Sequence, residues 1–234
     1  MCFSLQASAL AAAVLLPAGG LALRECRLRD RLPLQPLACC PLVFGLQQAA
    51  EGVVWWSLDQ PALSPATLRL QQPAALLFLL LAYGFWPAWI PWCALQASRL
   101  QPPPAPRSSA AVLRWWLLRL LLALGLLLGL ALVLPLLLDP ARIQPTVVHG
   151  SIDYRVLLPG HRWVSHGLVV SLYGLVVLLP LLLAGGRRLR WFGGCLAASL
   201  VVAWISSVHA FTSVWCFLAA LLALLLPWVV RQPL

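Results

Sequence analysis

Glu51 is the one acidic residue that falls inside an apolar run of this chain. A carboxylate in hydrocarbon costs roughly 3 kcal/mol unless it is paired, protonated or wetted. Its presence there marks a candidate site. Gln47, Glu51 and Trp55 recur every four residues, which puts them on one face of a helix, and Gln48 lies beside them. A carboxyl group held in this way can serve as an acid or base, as a proton or cation carrier, or as a ligand.

Other polar residues are scattered through apolar sequence, and their spacing groups them. His166, Tyr173 and Pro180 are seven apart and share a helical stripe. Thr212 and Cys216, four apart, follow the polar break "SSVHAFTS", which contains His209. The loop "DPARIQPTVVHGSIDYRVLLPG" adds His149, Ser151, Asp153, Tyr154 and His161. Cys2 and Ser4 precede the first apolar run with no basic residue between. Removal of the initiator Met would expose a terminal amine and thiol at Cys2, a chelator or nucleophile.

Three chemistries suit these side chains. Imidazole, thiolate and carboxylate bind zinc and other divalent metals, and Glu51, His166 and His209 are the candidate ligands. Such a metal would activate water for hydrolysis of a lipid or peptide bond. Without metal, Glu51 and His166 are the candidate acid and base. In a binding pocket, Cys2, Ser4, Gln47, Gln48, Asp153, Tyr173 and Cys216 are the candidate contacts. No HExxH or C-x-x-C spacing is present. The Ser, His and Asp of "HGSIDY" lie too close along an irregular loop to form a triad.

The elements that position these groups must be membrane helices. Hydrophobic residues make up 62% of 234 and charged residues 9%, and the mean hydropathy is +0.91. A soluble domain carries about 25% charged residues. The bilayer is therefore the solvent expected for this surface. The net charge of +10 comes from arginines in loops, which suits headgroup contact and not nucleic acid. With no Lys in the chain, no retinal or pyridoxal Schiff base can form. The seven cysteines are odd in number and scattered, so they read as apolar packers rather than a disulfide framework.

Seven spans are expected, at about 4–23, 36–57, 72–97, 111–138, 162–184, 191–208 and 210–230, in one all-α bundle. Gly19-Gly20 and "RECRLRDRLP" are read as the end of the first. With the N-terminus outside, twelve of the 16 arginines fall in cytoplasmic segments, an inside bias that also puts the C-terminus in the cytoplasm. Cys2, Glu51, Asp153 and all four histidines then lie toward the outer face. Trp55, Trp56, Trp163 and Trp215 suit the outer interface, and Pro87 and Pro91 suit a kinked third helix.

"MCFS", "LVFGLQQAAEGVVW", "WPAWIP" and "SVWCFLAA", in that order, resemble a bacterial and archaeal family of uncharacterised seven-helix integral membrane proteins. The resemblance implies a multi-pass protein of the cytoplasmic membrane and supplies no activity. Its motif positions include Cys2, Ser4, Gln47, Gln48, Glu51, Trp215 and Cys216. A looser analogy is to seven-helix hydrolases of the ceramidase kind, whose HxxxH spacing this chain lacks. The expectation is an outer-leaflet pocket for a small ligand, lipid or divalent metal, serving a hydrolase or a sensor. The alternative is a proton- or cation-coupled transporter using Glu51.

Overall fold

A computed structural model describes residues 4–61, 64–100, 109–154, 156 and 165–231, with backbone alone for Ser109 and His166. It is mostly helical. Helix α1 spans Leu5–Leu28, and Ser4 caps it by accepting the Ala7 N–H at 3.3 Å. A 3-10 turn, Leu32–Leu34, leads through α2 (Gln35–Ala38) into α3 (Cys40–Leu58). Helix α4 (Pro65–Leu79) is capped by Ser64 and passes through a π-helical turn, Leu80–Phe85, into α5 (Trp86–Ala97). Then come α6 (Ser109–Leu138), α7 (His166–Leu183), α8 (Arg187–Ser206), α9 (Phe211–Ala223) and α10 (Leu226–Val230).

Five helical stretches among the described residues are long and apolar enough to cross a membrane: Leu5–Leu28, Leu32–Leu58, Pro65–Leu100, Ala110–Leu138 and Arg187–Ser206. Two shorter apolar helices are Gly167–Leu183 and Phe211–Ala223. The stretch containing α3 is 67% buried, against 28% for the one formed by α6. That difference makes α3 the central helix. It packs on α1, α4 and α9, so the face carrying Gln47 and Glu51 is turned into protein.

Several sequence expectations change here. α1 does not stop at Gly19-Gly20 but runs through "RECRL" to Leu28. A Cβ on Gly19 would sit 2.9 Å from the Leu42 backbone nitrogen, so this glycine serves close packing on α3 and not termination. The third span departs from α-helical geometry just before Pro87, in a π-helical turn. Proline has no N–H to donate and its ring crowds the carbonyl a turn earlier, so the widened turn accommodates both. Gly129 of α6 presses on that widened segment, and Gly125 on the start of α5. A Cβ on Gly129 would lie 2.9 Å from the Gly84 carbonyl oxygen, and one on Gly125 would fall onto the Pro87 carbonyl.

The fold is also not purely helical. Within the loop read as irregular, β1 (Thr146–Val148) and β2 (Ser151–Asp153) pair as an antiparallel hairpin. His149 and Gly150 form its two-residue turn with φ of 48° and 74°, both positive as a type I′ turn requires. Ile143, Ile152 and Tyr154 are buried, and β2 packs on α9. The hairpin is therefore part of the packed structure.

Candidate functional site

Local helix geometry places Gln47, Glu51 and Trp55 on one stripe of α3, and burial of α3 brings that stripe inside. Glu51 is 1% exposed. Gln48, one turn earlier, donates its Nε2 to Glu51 Oε2 at 3.0 Å. From α9, Ser213 Oγ donates to Glu51 Oε1 at 2.5 Å. Both carboxyl oxygens thus have a donor, and neither donor is charged. The burial is tolerated because each oxygen is hydrogen-bonded.

Around this centre the same pattern repeats. Trp86 Nε1 donates to Gln47 Oε1 at 2.7 Å, joining α5 to α3. The Tyr83 hydroxyl, in the π-helical turn, lies 3.2 Å from Thr212 Oγ1 of α9. The Tyr173 hydroxyl of α7 donates to the carbonyl oxygen of Ala82. Trp215 Nε1 donates to Ser199 Oγ of α8 at 3.2 Å. Side-chain bonds between helices therefore concentrate on α3, the π-helical turn and the start of α9.

Not every polar atom is satisfied. Gln47 Nε2, Gln48 Oε1, Trp55 Nε1, Gln72 Oε1 and the Tyr154 hydroxyl are buried without a hydrogen-bond partner among the described residues. Native interiors hold few such atoms, and each asks for a water, an ion or a ligand. Three of them, from Gln47, Gln48 and Trp55, belong to the Glu51 stretch of α3. Tyr154, just after β2, stacks on Phe78 of α4, with ring centroids 4.7 Å apart. Burial first, and then the charge of Glu51, raise its hydroxyl pKa well above the usual tyrosine range. Tyr154 thus approaches the site from the hairpin side.

The other candidate residues distribute unevenly. Cys216 is buried on α9, one turn after Ser213, within electrostatic reach of Glu51. Tyr173 is half-buried and joins the packing of Trp215. Ser4 is the α1 cap. Asp153 is half-buried in β2. His209 is exposed between α8 and α9, as is His149 in the hairpin turn. Cys2, His161 and the side chain of His166 lie outside the described residues. Trp55 and Trp215 are 5% and 6% exposed, so they pack inside the protein and not along an interfacial belt.

Ser213 and Trp86 complete the site although their sequence signals are weak. Ser213 closes the polar break "SSVHAFTS", three positions before Cys216, and Trp86 opens "WPAWIP", where spacing names no partner. A divalent metal draws no support from the described residues. No three His, Cys, Asp or Glu side chains among them come together as a ligand set, and both Glu51 oxygens are already engaged.

Near the site a small apolar crevice of about 40 Å³ lies between α2, α3, α5, α7, α8, α9 and α10. Trp86, Tyr173, Trp215, Cys216, Leu37 and Leu226 are among its lining residues.

A family described as "Family of unknown function (DUF6629)" matches residues 1–234. No curated protein and no solved structure matches the chain.

Proposed function

The chain belongs to this family of unknown function, and from that premise we propose that it is a seven-span integral membrane protein that binds a small ligand beside Glu51, in the outer half of the bilayer. Five long apolar helices support the spans. Helix α7 and the α9–α10 pair supply two more, since residues 211–230 reach about 30 Å at 1.5 Å per residue. The arginine bias supports an outer N-terminus. The hairpin and Tyr154 then cap the site from outside.

One observation carries the binding reading. A buried carboxyl group ties α3 to α9, and unpartnered polar atoms of Gln47, Gln48 and Trp55 surround it on the same helix. A purely structural carboxyl would need no such neighbours, because leaving a buried donor unmade costs about 1–3 kcal/mol. A ligand would satisfy them. The crevice nearby is apolar and has no charged lining residue among the described residues, which favours binding over the movement of a hydrated ion from one side to the other.

The test is mass analysis of the full-length protein purified from its own membranes. Wild type retains a stoichiometric small molecule, and Glu51→Gln, folded to the same extent, releases it. Identical content in both proteins overturns the reading. Steady proton uptake by proteoliposomes, lost in Glu51→Gln, would replace it with coupled transport.

A further inference from the structure

We infer that the face where α1 ends and α8 begins binds an anionic phospholipid, with its phosphate on arginines and its acyl chain along the leucines and tryptophans beside them. This goes beyond the ligand at Glu51 and rests only on the reading of the chain as an integral membrane protein.

Helix α10 brings the two helix ends together, since it packs on both α1 and α8. Arg31, just past α1, donates to the Val230 carbonyl oxygen at 3.0 Å. Arg188, in the first turn of α8, donates to the Trp228 carbonyl oxygen at 2.7 Å. Those carbonyls are two residues apart in one helical turn, so the two guanidinium groups lie within about 12 Å of each other. Each bonds a neutral group, so neither charge is cancelled there. Glu25 is fully used: its Oε2 pairs with Arg29 at 3.1 Å and its Oε1 with Arg231 at 3.2 Å. Arg24 and Arg27 of α1 and Arg187 and Arg190 of α8 are exposed and outside every ion pair among the described residues. Eight arginines thus share this face with two carboxylates, Glu25 and Asp30.

That excess calls for an anion, and the exposed carbon beside it selects the kind. Leu28, next to Arg27, is 68% exposed, and Trp191, next to Arg190, is 62% exposed. The Arg188 guanidinium lies 3.9 Å from the ring centroid of Trp228, which is itself exposed. A free phosphate would neutralise arginines and leave these side chains in water. A phospholipid covers both, with phosphate on guanidinium and chain on leucine and indole. The face also stands at the ends of two helices long and apolar enough to span a bilayer, which is the depth of the headgroups. A zwitterionic headgroup carries its own cation toward the arginines, so net negative lipid is favoured.

The experiment offers phosphatidylglycerol and phosphatidylcholine with identical chains, separately, to the full-length protein in detergent micelles and reads adducts by native mass spectrometry. Wild type is expected to retain phosphatidylglycerol about tenfold more strongly. Changing Arg24, Arg27, Arg187 and Arg190 together to Gln breaks no ion pair seen in the structure and should erase the preference. Arg187→Glu alone should weaken it several-fold, and keeps the test decisive if the fourfold variant fails to fold. Equal retention of both lipids by wild type, or an unchanged preference in folded variants, overturns the inference. Displacement of the lipid by an equal concentration of inorganic phosphate would assign the arginines to a soluble anion and also overturn it. Loss of the lipid preference in a wild type that keeps its Glu51-dependent small molecule removes this site alone. Recovery of the protein in solution without detergent would remove the membrane reading and the lipid site together.

Discussion

Ser213 Oγ meets Glu51 Oε1 at 2.5 Å across 162 positions of sequence. This bond joins the central helix α3 to α9 and gives the buried carboxyl its second donor. The helices are held by a small number of such bonds between residues distant in sequence.

Removing one side of the bond should cost more than changing the carboxyl to an amide. Ser213→Ala leaves a buried carboxyl oxygen unpaired, with an expected loss of about 2 kcal/mol. Glu51→Leu strands both Ser213 and Gln48 and should cost at least as much. Glu51→Gln can keep both contacts. Its oxygen accepts from Ser213, and its nitrogen donates to Gln48 Oε1, which has no partner now, once the Gln48 amide turns over. Thermal unfolding in detergent should rank the variants in that order, with Glu51→Gln within about 1 kcal/mol of wild type.

The close approach of α6 to the start of α5 at Gly125 should be the least forgiving glycine contact among the described residues. A Cβ on Gly125 falls onto the Pro87 carbonyl, which belongs to backbone and cannot swing aside. Gly125→Ala should lose about 3 kcal/mol or fail to fold. A Cβ at Gly194 meets open space, so Gly194→Ala should be neutral or slightly stabilising. Equal unfolding midpoints for the two variants would contradict the close approach.

Tyr154 offers a pH test. Its folded pKa is raised by burial and by Glu51, while an unfolded tyrosine ionises near pH 10. The stability it contributes is therefore complete below about pH 10 and is lost as pH rises further, because the unfolded state releases the proton first. Tyr154→Phe should flatten the alkaline decline in stability. In an absorbance titration at 295 nm, one fewer phenol should ionise on unfolding. An unchanged profile would mean that Tyr154 is exposed to solvent.

The hairpin turn is under mild strain at a non-glycine residue. His149 has φ 48°, where Asn is the favoured partner of a following Gly. His149→Asn should hold or raise stability by a few tenths of a kcal/mol, whereas Gly150→Val should cost about 1–2 kcal/mol. Hydrogen exchange at Val148 and Ser151 would report it, since these residues pair across the turn.

The proposed orientation can be checked without knowing the ligand. In a chain with its cysteines replaced by alanine, Gln144→Cys should react with a membrane-impermeant maleimide added outside intact cells. Arg187→Cys should react only after lysis. The reverse pattern would invert the topology and move Glu51 to the inner leaflet.

Much of the site was legible because helical periodicity is a local property. Gln47, Glu51 and Trp55 share a face at any position in a bundle, and a carboxyl in an apolar run needs partners whatever the fold. The partners themselves could not be read. Ser213 looks like a turn residue, and Trp86 is one of several tryptophans in an apolar run, until their helices are packed. Among the histidines, His149 and His209 are exposed. Turn positions attract polar side chains for solvation alone, so residue type there says little about a site. The hairpin was missed because strands of three residues give too little alternation to register against a polar loop.

Composition alone pointed to a membrane protein, because 9% charged residues is far below the share of an ordinary soluble domain, and the structure has helices long and apolar enough to span a bilayer. Residue spacing determined which side chains could stand together on one helix. Tertiary structure decided which helix became central, which donors reached Glu51, and that Trp86 took the Gln47 amide oxygen. Those outcomes depend on contacts between residues far apart in sequence, set by the close approach of whole helices, and no local pattern records them.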